Sequence, residues 1–276
     1  MSFTTEQDTI DRKNAAFWDE LCGSGLARSL GITERTPESL REFDEAYLAI
    51  YPYLPPYVCG ELLSGKKVLE IGLGYGTLGR LLMSRGCEYH GLDIADGPVA
   101  MMRYSMELMH IDPGQRVRQG SALAIPHDDA AFDYVYTIGT LHHTGSLEKA
   151  VSEVRRVLAP GGKAVVMLYN RHSFRQLVDV PLLRGRTFLS GALRGFREKV
   201  RGLYDTNSQG SPAPHTDYVS PAEARKLFRD FSAVKIDIRN FDAYAFLRGR
   251  ITIRRDWLLN NIGRILGLDL YITAKK

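Results

Sequence analysis

The stretch VLEIGLGYGTLG, residues 68–79, decides the fold. An apolar run meets Gly72, Gly74, Gly76 and Gly79 just before the helix-forming TLGRLLM. A strand that turns through glycines into a helix is the opening unit of a parallel α/β sheet. Its helix N-terminus presents free N–H groups and positive dipole to a ligand. Two frames fit the string. From Gly74 it is G-x-G-x-x-G, which suits a pyrophosphate; from Glu70 it is E-x-G-x-G-x-G. An acid two residues before the first glycine is unfavourable beside a pyrophosphate and suits a ligand bearing positive charge.

Outward from the turn, strand and helix alternate. KKVLEIG, EYHGLD, RVRQGSA, FDYVYTIG and KAVVMLY read as strands, and TLGRLLMSRG, GPVAMMRYSMELMH and the segment carrying Leu147, Ala150, Val151, Val154 and Leu158 on one face as helices. Five strands joined by helical crossovers imply a parallel, doubly wound, Rossmann-like α/β sheet. Two helices precede it, one around residues 8–21 and one opening at Thr36-Pro37, where Leu40, Phe43, Tyr47 and Ile50 recur at helical spacing. After it, Ser220-Pro-Ala-Glu223 forms a capping box, and AVKIDIRNF and LDLYITAKK read as two more strands. The expected organisation is an N-terminal helical cap (1–65), a cofactor-binding core (66–170), a helical insertion or lid (171–218), and a C-terminal completion of the sheet (219–276).

With 276 residues, 44% hydrophobic and 25% charged, the chain has the composition of an ordinary globular protein. No apolar run approaches the roughly 18 residues that cross a bilayer, and MSFTTEQDTI lacks the regions of a signal peptide, so a cytoplasmic protein is expected. Cys22, Cys59 and Cys87 have no metal or disulfide spacing. His127-Asp128-Asp129 reads as a turn before the fourth strand, and no metal is assigned.

The nicotinamide reading needs a partner for hydride transfer. The Tyr-x-x-x-Lys at Tyr271 and Lys275 lies inside the final strand, far from the turn. With Glu70, VLEIGLGYGTLGRLL, GLDIA, GSALAIPHDDAAFDYVYTIGTLHHT and LEKAVSEVRRVLAPGGKAVVMLY resemble, in order and spacing, the class I S-adenosylmethionine-dependent methyltransferases, the broad set that includes the quinone-biosynthesis methylases. The resemblance covers residues 66–170. It implies a seven-stranded sheet, mostly parallel with an antiparallel last strand, and S-adenosylmethionine as cofactor. By matching position, Glu70, Gly72, Gly74 and Gly76 would line the methionine end, and Thr77, where the following helix begins, is a further cofactor-binding candidate. Asp93 would hold the ribose, with Ile94 against the adenine; Ser121 and Ala122 would flank that ring, and Ile138 and Gly139 would run beneath the methionine portion. The family often carries an acid where this chain has Ser121.

Methyl transfer from a sulfonium is an in-line displacement in which positioning and exclusion of water matter most. His142 and His143, just beyond the fourth strand, are the candidate bases, because histidine titrates in the right range. Trp18, Tyr75, Tyr169, Asn170 and His215 are the candidate acceptor-side residues. A non-catalytic S-adenosylmethionine-binding regulator and a nicotinamide oxidoreductase are the rival readings.

Two segments are basic: residues 170–202 carry net +6 and residues 248–276 net +5, which leaves −7 elsewhere in a chain of net +4. Between residues 188 and 203, Phe188, Leu189, Ala192, Leu193, Phe196, Val200 and Leu203 project onto one side of a helix, with Arg194, Arg197 and Arg201 opposite. Such a helix is expected to pack over the cleft, and could also meet an anionic membrane surface or a lipid-like acceptor. The absence of a recognisable RNA-binding module argues against nucleic acid. The expected acceptor is a small organic molecule, acidic or partly apolar.

Overall fold

The computed structural model describes residues 6–19, 25–60, 62–189, 195–246 and 251–276. Among these, seven strands form one sheet: β1 (Lys67–Ile71), β2 (Glu88–Asp93), β3 (Val117–Gln119), β4 (Phe132–Ile138), β5 (Leu158–Tyr169), β6 (Ala233–Arg239) and β9 (Asp269–Lys275), in the order β3-β2-β1-β4-β5-β9-β6. The first five are parallel, and β9 runs antiparallel to both β5 and β6. A separate hairpin, β7 (Tyr244–Phe246) with β8 (Ile251–Ile253), occupies the connection from β6 to β9. The helices Arg255–Asn260 and Gly263–Leu266 follow it.

Both faces of the central strands are apolar, as a parallel sheet covered on both sides requires. In β5, Ala164, Val166 and Leu168 face one cluster with Leu69, Val135, Ile272 and the Leu147–Val157 helix. The alternate residues Val165 and Met167 join Val68, Tyr136, Tyr271 and Leu82 on the other face. The Pro37–Ile50 helix opens with Thr36 and Ser39 in a reciprocal capping arrangement. Asp44 fastens it to the core, accepting from Thr77 Oγ1 at 2.6 Å and from Arg80 Nε at 2.7 Å.

Polarity of the strands sets the position of the site. The C-terminal ends of β1, β2, β4 and β5 lie at one edge of the sheet. Because β9 is antiparallel, its first residue reaches the same edge, with Asp269 opposite Tyr169. No helix among the described residues is long and apolar enough to cross a membrane.

The single amphipathic helix expected over 188–203 is not what forms. One helix spans Val180–Leu189, and another, Phe196–Arg201, starts after Gly195, whose φ of 76° is left-handed; residues 190–194, with Ala192, Leu193 and Arg194, lie outside the described residues. Nor does its apolar side pack throughout on the core: Phe188 is 69% exposed, and Leu177 and Leu182 before it are exposed as well.

Gly72 illustrates how tightly the turn after β1 is packed. Its φ is +83°, and a Cβ there would lie 1.8 Å from Thr140 Oγ1, whereas Gly161 has a similar φ of +77° and open space around it. Both alanine variants carry the backbone strain of about 1 kcal/mol or more, and only Gly72→Ala adds an overpacking cost of about 1–3 kcal/mol. Urea denaturation is expected to find Gly72→Ala the less stable of the two by that margin. Equal losses would contradict the packing described.

Candidate active site

A cavity of about 310 Å³ lies at the strand ends and is lined by the glycine turn, Asp93, Ile94, Ser121, Ala122, Ile138, Gly139 and His143. Glu70, Thr77, Tyr75 and Trp18 line it as well. The N-terminal helix Glu6–Trp18 forms one wall with Asp11, Asn14 and Phe17. It is held there by Asn14 Nδ2, which donates to the His143 carbonyl at 2.7 Å, and by Gln7 Nε2, which donates to that of Thr144 at 2.8 Å. Tyr75 stacks on Phe43, ring centroids 3.9 Å apart.

Asp93 terminates β2. Its carboxylate accepts from Leu73 N at 2.7 Å and Ala95 N at 2.9 Å, which ties the turns after β1 and β2 together. Burial raises its pKa to about 6 against the pull of these backbone donors. Each oxygen keeps a further lone pair for a ribose hydroxyl. Glu70 is 1% exposed and accepts from Tyr89 Oη at 2.5 Å. Desolvation raises its pKa to about 8, opposed by the Tyr89 hydrogen bond and by Arg80. A buried acid held partly protonated below the glycine turn is matched to a ligand that brings a cation, and mismatched to a pyrophosphate.

The two histidines separate. His143 lines the cavity, with its ring 5.0 Å from that of Trp18. Its Nδ1 lies 2.7 Å from the carbonyl oxygen of His215, which fixes Nδ1 as the donor and leaves the lone pair on Nε2. The nearest charged atom to Nε2 is Asp205 Oδ2 at 3.6 Å, and Nε2 has no hydrogen-bond partner among the described residues. Burial lowers the His143 pKa, with the Asp205 charge opposing. His142 is fully buried away from the cavity lining, and its ring packs against Tyr169 at 4.1 Å. Burial drives its pKa well down.

The acceptor-side candidates also divide. Trp18 and Tyr75 line the cavity; Tyr169, Asn170 and His215 do not. Asn170 spends its side chain on structure, donating to Gly267 O at 2.8 Å and accepting from His172 N. His215 contributes its carbonyl to His143, while its ring pairs with Asp217 at 3.1 Å. Tyr169 Oη donates to Asp205 at 2.9 Å. Asp205 itself, with Thr206 and Asn207 on the cavity wall, comes from the inserted segment and went unnoticed in the sequence. So did Asp11, whose Oδ2 accepts from Ser121 Oγ at 3.3 Å. His127 and Asp129 belong to a turn fastened by Arg156.

Residues 69–166 match the family described as Methyltransferase domain. The demethylmenaquinone methyltransferase of Thermus thermophilus is 33% identical over 154 residues, covering 54% of this chain and 69% of that protein. The chain belongs to the class I S-adenosylmethionine-dependent methyltransferases. Phosphoethanolamine N-methyltransferase 2 of Caenorhabditis elegans is 30% identical over 115 residues, covering 41% of this chain but only 26% of that protein, so the chain spans about a quarter of this relative's length. The YcgJ protein of Bacillus subtilis shares the fold with a TM-score of 0.53 at 19% identity, covering 82% of this chain and 97% of that one.

S-adenosylmethionine is therefore the cofactor, and the cavity fits it. An acid whose neighbouring cation, Arg80, is engaged by Asp44 stands at one end, a carboxylate with spare lone pairs stands at the second strand, and apolar Ile94 and Ala122 lie beyond. A cation arriving near Glu70 favours its ionised form, so binding at pH 7, below the raised pKa, should release a proton. Calorimetric titrations in buffers of different ionisation enthalpy are expected to show this release in the wild type and its loss in Glu70→Gln. Identical proton release in both would assign it elsewhere.

Proposed function

We propose that this methyltransferase transfers a methyl group to a nucleophilic atom of a small organic acceptor, with His143 as the base. When bound, S-adenosylmethionine supplies an electrophilic methyl group on a sulfonium centre. The chain's own residues do the rest. The glycine turn and Asp93 hold the ligand. Trp18, Phe17 and Tyr75 exclude water from the reacting end. His143 takes a proton from the acceptor at Nε2, which its Nδ1 hydrogen bond leaves unprotonated. Asp205, 3.6 Å away, stabilises the resulting imidazolium. Asp11, beside Ser121, takes the part of the acid that relatives often carry at that position, accepting from the adenine amino group. His142 has no catalytic part in this reading.

The observation that carries the reading is that one cavity contains the glycine turn, Asp93 and a buried histidine with a free lone pair. It is tested by titrating the protein with S-adenosylmethionine, S-adenosylhomocysteine and NAD in parallel. The first two are expected to bind and NAD is not, and Asp93→Ala should weaken S-adenosylhomocysteine by about tenfold or more through loss of charge-assisted hydrogen bonds. Binding of NAD alone, or unchanged affinity in Asp93→Ala, would overturn it.

A further inference from the structure

The segment after the Phe196–Arg201 helix reaches the cofactor cavity through Thr206 and Asn207, and its sequence NSQGSP, residues 207–212, folds on itself. Asn207 Oδ1 accepts from Gln209 N at 3.1 Å and from Ser211 N at 2.8 Å, and Asn207 N donates to Ser211 O at 3.0 Å. Thr206 pairs with Pro212 in an antiparallel bridge. The loop is fastened at its base, where Asp205 accepts from Tyr169 Oη at its carboxylate and from Ala213 N at its carbonyl. Two backbone N–H groups can be received only by the oxygen of an amide, so the Asn207 side chain has one orientation, with Nδ2 turned away from the loop. The residue is half-buried on the cavity wall, and its Nδ2 has no partner among the described residues. Two N–H donors are thereby fixed at the cavity and uncommitted.

The rest of the wall is poor in donors. No Lys or Arg is among the described lining residues, and Arg80, beside Gly76, binds Asp44 and Ser105. The lining side chains of Asn14, Thr77, Ser121, Thr140 and Thr144 already donate, to the His143 carbonyl, Asp44, Asp11, the Ile71 carbonyl and the Leu141 carbonyl respectively. Carboxyl groups line it instead, on Asp11, Glu70 and Asp93. A ligand carboxylate is unfavourable beside these acids and needs a donor elsewhere. Among the described lining residues, only Asn207 brings two uncommitted N–H groups on a side chain that its own loop holds in place. Resting on the methyl-transfer reading of this cavity, we propose that Asn207 is its carboxylate-binding residue, with Nδ2 donating to a carboxylate oxygen of a bound ligand. The bond is charge-assisted, and the direction of the amide is set before the ligand arrives. Such a carboxylate has two sources, the amino-acid end of the cofactor and the methyl acceptor, and the same amide chemistry serves either.

The variant Asn207→Asp separates the donor from the turn. Aspartate keeps an oxygen for Gln209 N and Ser211 N, and puts a second oxygen where Nδ2 stands. Calorimetry on the whole protein compares S-adenosylhomocysteine with its decarboxylated analogue, and then benzoate with benzyl alcohol on the protein saturated with S-adenosylhomocysteine. If the cofactor supplies the carboxylate, Asn207→Asp is expected to bind S-adenosylhomocysteine about tenfold or more weakly and the decarboxylated analogue no more weakly than the wild type. If the acceptor supplies it, S-adenosylhomocysteine keeps its affinity, and benzoate loses about tenfold or more while benzyl alcohol is unaffected. Asn207→Ser, which leaves an acceptor for the loop and adds no charge, should weaken the same ligand to a smaller degree. Unchanged S-adenosylhomocysteine together with absent or unaltered benzoate binding overturns the proposal. So does an equal loss of S-adenosylhomocysteine and its decarboxylated analogue, or an Asn207→Ser that binds the affected ligand as the wild type does. Failure of S-adenosylhomocysteine to bind the wild type would instead sink the underlying methyl-transfer reading.

Discussion

The carboxylate of Asp93 holds the cleft together. It accepts from the turn after β1 and from its own turn after β2, while its backbone carbonyl takes Gly120 N at 2.7 Å from the loop after β3. Three strand ends are thereby fixed to one another around a single residue. The arrangement leaves lone pairs directed to a ligand in a place where a side chain could not be added, since Gly72 is already closed off by Thr140. The proposed cofactor site is the space these constraints leave.

The charges of the site follow one logic. Glu70, Asp93 and Asp269 are all buried, and desolvation raises the pKa of each. In linkage terms, each binds its proton more tightly in the folded state. The stability this provides is present below the unfolded carboxyl range and declines as pH rises through about 6 to 8. Such groups weaken the empty protein near neutrality. A ligand with positive charge would offset that cost on binding, which is the basis of the proposed fit to a cationic cofactor. The neutral imidazole of His143, kept unprotonated by burial, completes a set of groups suited to accepting positive charge or protons.

The periodic parts of the chain were legible before the structure. The glycine turn, the alternation of strands and helices, and the antiparallel last strand all appear where pattern and resemblance placed them, because parallel strands must be apolar on both faces and crossovers must be amphipathic. The Ser220 capping box is present, with reciprocal bonds to Glu223. What the pattern did not reveal comes from tertiary contact. Nothing local distinguishes His143 from His142; the turn after β4 gives one the cavity and buries the other behind it. Asp11, Asp44 and Asp205 look like ordinary polar residues of helices and loops, and only folding brings them to Ser121, Arg80 and His143. Asn170 resembled a cleft residue because it ends a strand, yet its amide is consumed by backbone. The amphipathic pattern near Phe188 misled because glycines interrupt it and Gly195 adopts a left-handed conformation.

The most direct measurement is a crystal structure of the protein with S-adenosylhomocysteine. The ribose hydroxyls are expected to donate to Asp93 and the sulfur to face the His143 side of the cavity, with His142 out of contact. A ribose held away from Asp93, or a sulfur turned from His143, would contradict this placement.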